Sequence, residues 1–289
     1  MLAISLRGWR LALCVTMLVV FPSAWATPSL LEDENSSIVV DPAIQTAMSS
    51  WKVETVEHLK EISNWYRVGS TGPERWCGNN GPMSLVSASV FDTNPLIDSR
   101  PDSLTAFYTH PQFDLRLDYS VDGFAPGSGT SRMGETISIT NTGTVPLNIH
   151  FFEYQDLDLT NTPNDDSVVQ NTAASGVQSD PSGTTVTAYI INCDRYELAS
   201  YPSTLAKLQN TGPDNLAYPP GFGFPFGPGD VTWSLQWDFV TGNPIRPAIP
   251  PGQTVVINKL WELQMTPVPE PTGLVTLATM FQLLRRRRP

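Results

Sequence analysis

Two stretches of this chain alternate apolar and polar residues so regularly that a half-buried β-strand is the structure they fit. From 113 to 121 the odd positions carry Phe113, Leu115, Leu117, Tyr119 and Val121, while Asp114, Arg116, Asp118 and Ser120 occupy the even ones. From 231 to 239 the pattern returns, with Val231, Trp233, Leu235, Trp237 and Phe239 set against Thr232, Ser234, Gln236 and Asp238. Successive side chains of a strand point to opposite faces, so each stretch presents one apolar and one polar face. Further strands are predicted at 135–140, 147–159, 184–191 and 254–263, with turns at Asn141-Thr142-Gly143, Asp180-Pro181-Ser182-Gly183 and Pro250-Pro251-Gly252. Parallel strands need long crossover helices, and most of these connections are too short or too rich in Pro and Gly to hold one. The expected fold is therefore mainly β, an antiparallel β-sandwich of Ig-like or jelly-roll type with at most one or two short helices.

One helix is predicted at 204–209, capped by Ser203. Over 51–68 two readings stay open. Val53, Val56, Leu59, Ile62 and Trp65 recur about every three residues, as on a helix face, yet Trp65-Tyr66-Arg67-Val68 reads as a strand entering the Gly69 turn. The segment 175–183 reads as a loop. Trp51, Trp65, Trp76, Trp233, Trp237 and Trp261 read first as core, because their spacing follows the strands.

The two ends differ from the body. Arg7 and Arg10 flank the start of an apolar run over 11–21, and Ala24-Trp25-Ala26 offers a small-x-small cleavage site, as in a secretory signal peptide covering 1–26. At the other end, Val268-Pro269-Glu270-Pro271-Thr272 leads into an apolar run over 273–284 and then Arg285, Arg286, Arg287 and Arg288. Arginines hard against an apolar run have the form of a stop-transfer flank rather than a nucleic-acid patch. The run is shorter than the roughly 20 residues a membrane-spanning helix needs, so the anchoring expected of it is transient or weak.

The Pro269-Glu270-Pro271 triplet, the apolar run and the arginine cluster together resemble the PEP-CTERM sorting signal of Gram-negative-type bacteria. That resemblance assigns 267–289 to sorting, implies an exosortase as processing partner, and sends the remaining domain, 27–266, to the cell surface or extracellular matrix. Within the body, Trp65-Tyr66-Arg67-Val68-Gly69-Ser70-Thr71-Gly72-Pro73-Glu74, Ile137-Ser138-Ile139-Thr140-Asn141-Thr142-Gly143, Tyr154-Gln155-Asp156-Leu157-Asp158-Leu159 and Gln236-Trp237-Asp238 resemble blocks of PEP-CTERM-domain proteins. The resemblance implies one exported domain and brings no activity with it.

Removal of both end segments would sharpen the charge. The whole chain carries −11; without Arg7, Arg10 and the terminal arginines it keeps 11 basic residues, and without Glu270 it keeps 27 acidic ones, a net charge near −16. Phosphate backbones are held by Lys and Arg, so this balance excludes nucleic acid as a partner and favours cations. Cys77 and Cys193 survive maturation, and in an oxidising exterior a pair of this kind is expected to form one disulfide. No CxxC occurs, and His58, His110 and His150 show no metal-ligand spacing.

Three constellations carry candidate chemistry. Asp156, Asp158, Asn161, Asn164, Asp165 and Asp166 form either a solvated acidic loop or an oxygen-rich Ca²⁺ site, since Ca²⁺ takes six to eight oxygen ligands in flexible geometry. His150, Phe152, Tyr154, Asp156 and Asp158 share one strand face, with Glu153 on the other. That face reads as core with a polar edge, or as a sugar cleft whose carboxylates would serve glycoside hydrolysis. The segment 218–229, rich in Phe, Pro and Gly, either folds its aromatics over an open end of the sandwich or presents them as a platform. No GxSxG, HExxH or phosphate-cradling loop occurs, so no catalytic residue is assigned. The expected role is structural or binding within a surface matrix, with extracellular polysaccharide as partner and calcium as the one cofactor considered. The alternative is a lectin or a carbohydrate-active enzyme.

Overall fold

The computed structural model describes residues 27–96, 98–217 and 221–266. The leader 1–26 and the sorting segment with Pro269, Glu270, Pro271 and the arginines 285–288 lie outside the described residues. Strands β1 (Ser29–Asp33), β2 (Ser36–Val40), β3 (Met48–Val53), β4 (Val56–Glu57), β5 (Glu61–Val68) and β6 (Arg75–Trp76) come first. They are followed by β7 (Ser84–Phe91), β8 (Ser103–His110), β9 (Phe113–Asp122), β10 (Thr130–Asn141) and β11 (Ile149–Asp156). After a 3-10 turn at Leu159–Asn161 come β12 (Asp166–Thr172), β13 (Ser175–Ser179), β14 (Thr185–Ile190) and β15 (Arg195–Ser200). The helix α1 (Ser203–Leu208) precedes β16 (Pro225–Gly229), β17 (Val231–Phe239) and β18 (Thr254–Gln264).

These strands form two nine-stranded sheets. The first runs β1-β2-β3-β5-β11-β17-β15, with β4 beside β3 and β6 beside β5; the second runs β16-β12-β13-β14-β18-β10-β9-β8-β7. Every ladder is antiparallel, so the fold is the expected sandwich, and each sheet has as many strands as a whole variable-type immunoglobulin domain. The predicted alternation is literal: Leu115, Leu117, Tyr119 and Val121 of β9 and Trp233, Leu235 and Trp237 of β17 all enter one core between the sheets. Burying a side chain of this size contributes about 1.5–3 kcal/mol, and this shared interior is what holds the sheets face to face.

The segment 51–68 is strand rather than helix. Val53 and Val56 pair across a tight turn in which Glu54 has φ +58°, so their three-residue spacing marks a reversal of the chain. The predicted loop 175–183 contains β13, whose Gly176 brings the backbone against the Trp233 ring: a Cβ there would stand 2.3 Å from Trp233 Cζ2. Ser203 is the first residue of α1, with Pro202 at the cap position and no side-chain cap hydrogen bond.

The predicted disulfide is absent, and Cys77 and Cys193 are buried free thiols. The Cys77 N–H donates to the carbonyl of Asn64 in β5, while Cys193 precedes Asp194, whose N–H donates to the carbonyl of Gln236 in β17. With β5, β11 and β17 between them at about 4.8 Å per strand step, the two lie far beyond the roughly 7 Å between Cα atoms that a disulfide tolerates. Burial pushes both thiols up, Cys193 to about 12.

Candidate functional site

The face of the first sheet that points away from the second is built by alternate residues of β5, β11, β17 and β15. Strand register lays them out in rows. Arg67, His150 and Asp238 form one row, and Trp65, Phe152, Gln236 and Arg195 the next. Ser63, Tyr154, Ser234 and Glu197 follow, and then Glu61, Asp156, Thr232 and Ala199. The middle of this face is apolar and roofed: Leu205 and Leu208 of α1 and Leu216 pack onto Trp65, Phe152 and Tyr154. The roof separates two polar ends.

At one end a hydrogen-bond network centres on Asp238. His150 Nδ1 lies 2.6 Å from Asp238 Oδ1, Gln236 Nε2 donates to the same oxygen at 2.5 Å, and Arg195 Nε reaches Oδ2 at 3.4 Å. Burial opposes ionisation of Asp238, but the hydrogen bonds of His150 and Gln236 and the His150 and Arg195 charges outweigh it and hold the carboxyl below its usual range. The backbone N–H of Asp238 donates to Asp194 Oδ2 at 2.8 Å, and Arg246 pairs with that oxygen at 3.0 Å. Arg67 forms a buried ion pair with Glu74, donates to Asn215 at 2.8 Å, and lies 5.7 Å from the centroid of the Phe152 ring.

A cleft of about 630 Å³ opens beside this network, lined among others by Asp194, Arg195, Tyr196, Phe222, Asn243 and Arg246. Tyr196 and Phe222 stack with ring centroids 5.6 Å apart and planes 19° from parallel, and the Tyr196 hydroxyl donates to the Gly221 carbonyl at 2.5 Å. The cleft therefore offers fixed carboxylates, guanidinium groups, an amide and an aromatic face.

At the other end, Asp156, Asp158 and Asp230 bring carboxylate oxygens within 4.8 Å of one another. Burial raises all three carboxyls, Asp156 to about 8. The predicted metal set is thus divided. Asp156 and Asp158 stay together, but Asn161 and Asn164 are exposed in the loop beyond, and Asp165 is not part of the converging group. Asp166 turns inward and accepts from Leu159 N at 3.1 Å and Gln178 Nε2 at 3.0 Å, with burial pushing it to about 7.

The predicted face of β11 holds for His150, Phe152, Tyr154 and Asp156 outward and Glu153 inward, but the strand ends at Asp156, three residues before the predicted 159, so Asp158 lies beyond it at the start of the 3-10 turn. Sequence reasoning missed Arg67, Asp194, Arg195, Asp230 and Arg246. The available signal was the polar side of 231–239: Gln236 and Asp238 are buried polar residues on a strand whose opposite side is all core. Of the loop 218–229, Gly221 onward is described, and Phe222 and Phe224 are 48% and 67% exposed, whereas Phe226 packs against the core.

No family model matches the chain, and no curated protein matches it in sequence. Solved structures do resemble it. A bacterial glucoamylase complexed with acarbose superposes with a TM-score of 0.51 at 10% identity over 89% of this chain and 34% of the other. A putative aldose 1-epimerase from Escherichia coli K12 gives 0.51 at 11% over 83% and 99%, and the Slr1438 protein from Synechocystis sp. PCC 6803 gives 0.51 at 9% over 86% and 99%. What they share is the fold. The chain spans about a third of the glucoamylase and nearly all of the other two.

Proposed function

We propose that this is an exported saccharide-binding protein of the cell surface or extracellular matrix, holding its ligand in the cleft beside Asp238. The cleft itself carries this reading. Sugar hydroxyls both donate and accept, and the cleft sets Asp194 and Asp238 beside Arg195, Arg246 and Asn243, with the Tyr196–Phe222 pair offering a flat apolar surface. Few but well-placed polar groups on an apolar wall are the usual form of a small-molecule site. The fold supports the same class, because two of the similar structures are named as a glucoamylase bound to acarbose and a putative aldose 1-epimerase. Export and exosortase processing rest on the two ends of the sequence.

Binding without turnover is the reading favoured over hydrolysis. A glycosidase needs one carboxyl raised to act as acid, whereas Asp238 is held low and Asp194 is paired with Arg246. A glycan array with the purified protein tests this: retained glycans should be lost in Asp238→Ala and Arg195→Ala and kept in Asp156→Asn. Release of reducing sugar, or anomeric interconversion, that disappears in Asp238→Asn would replace the binding reading with an enzymatic one.

A further inference from the structure

The acidic end of the same face is built from two separate segments. Asp156 is the last residue of β11, Asp158 follows the strand, and Asp230 immediately precedes β17. Asp156 is 2% exposed and stands directly across the ladder from Glu61 of β5. Like charges in that position repel.

Three buried atoms at this end have no hydrogen-bond partner: Asp156 Oδ1, Glu61 Oε1 and the Tyr154 hydroxyl. Tyr154 is fully buried two residues from Asp156 on the same strand face, in the row next to the Asp156–Glu61 pair. Lys60 is the neighbouring cation. It is exposed, and its backbone N–H donates to the Asp156 carbonyl at 2.9 Å.

A converging set of carboxylate oxygens, with no nitrogen or sulfur among them, suits a hard divalent cation. Buried oxygens of this kind are satisfied by a metal without rearranging the sheet. We propose that Asp156, Asp158 and Asp230 bind one Ca²⁺, and that the ion ties the end of β11 to the start of β17. Ca²⁺ is chosen over Mg²⁺ because Mg²⁺ demands near-octahedral geometry and keeps its waters. This site lies across the roof from the saccharide cleft and does not depend on it.

The test is calorimetric titration of EDTA-treated protein with CaCl₂, alongside thermal melting. One site is expected, with Tm rising by about 5 °C at a large excess over Kd and a smaller rise in MgCl₂. Both signals should vanish in Asp156→Asn. Where that buried substitution prevents folding, the more exposed Asp158→Asn gives the same reading. Absence of both heat and Tm change in the wild type at roughly 10 mM CaCl₂, above the range of extracellular calcium modules, overturns the proposal. A full calcium response surviving in Asp158→Asn and Asp230→Asn also overturns it.

Discussion

Lys259→Met removes a cation buried in the interior between the sheets. Lys259 lies on β18, and its side chain and those of Glu135 and Glu153 are 0% exposed. The ammonium pairs with Glu135 of β10 at 2.6 Å and with Glu153 of β11, on the facing sheet. It also stands 5.2 Å from the ring centroid of Trp261 and 5.8 Å from that of Trp237, and Asn64 Nδ2 donates to Glu135 at 2.6 Å. Burial pulls the Lys259 pKa down, and the Glu135 charge acts against that pull. Met has nearly the same volume, so the substitution deletes charge rather than packing and leaves two carboxyls without a counter-ion. Breaking a buried ion pair from one side costs about 3–5 kcal/mol. With a urea slope of about 3 kcal/mol/M, the midpoint should fall by roughly 1–1.7 M, and Tm by about 10 °C. Urea unfolding followed by tryptophan emission at pH 6 and pH 8 is the assay. Adding Glu135→Gln and Glu153→Gln should restore most of the stability. A Lys259→Met protein as stable as wild type at both pH values would refute this account of the interior.

Gly176→Ala should lower stability by about 1–3 kcal/mol, because its Cβ would enter the Trp233 ring, which Gln170 holds through a 2.7 Å hydrogen bond; urea unfolding measures it. His58 is buried, which lowers its pKa to about 4. Between pH 6.5 and pH 4 the unfolded chain therefore binds a proton that the native state does not, so stability should drop by about 2–3 kcal/mol on acidification; comparison of midpoint against pH for wild type and His58→Gln isolates this part of the slope. Alkylation of native and urea-unfolded protein without reductant should modify Cys77 and Cys193 only after unfolding. A pair that stays unmodified in urea would restore the disulfide.

The strands with one apolar face, β9 and β17 above all, were legible because each residue's neighbourhood is set by its position in the alternation. β5 was not, since adjacent large aromatics serve opposite faces, Trp65 under the α1 roof and Tyr66 in the core between the sheets, and this breaks the alternation. The β11 face was readable for the same local reason as β9. Its partners were not, because antiparallel register brings His150 to Asp238 across 88 positions, and no spacing rule within one segment reaches that far. The acidic cluster shows the same limit: proximity in sequence grouped Asp156 with Asp165 and Asp166, whereas Asp230 is delivered by the residue before the neighbouring strand β17. The cysteine pairing failed differently, because counting thiols gives no information on how many strands stand between them.

β18 pairs with β10 on one side and β14 on the other. The β7 to β10 meander and the β12 to β16 group have no other ladder joining them within that sheet. The segment 254–264, which follows every other strand of this sheet in the sequence, is thus its keystone. Until it arrives, β10 and β14 each present an open edge, and Glu135 and Glu153 lack their ammonium. The second sheet therefore cannot close before residue 254 has emerged, and ribosome-stalled or truncated chains ending before it should be protease-sensitive throughout that sheet.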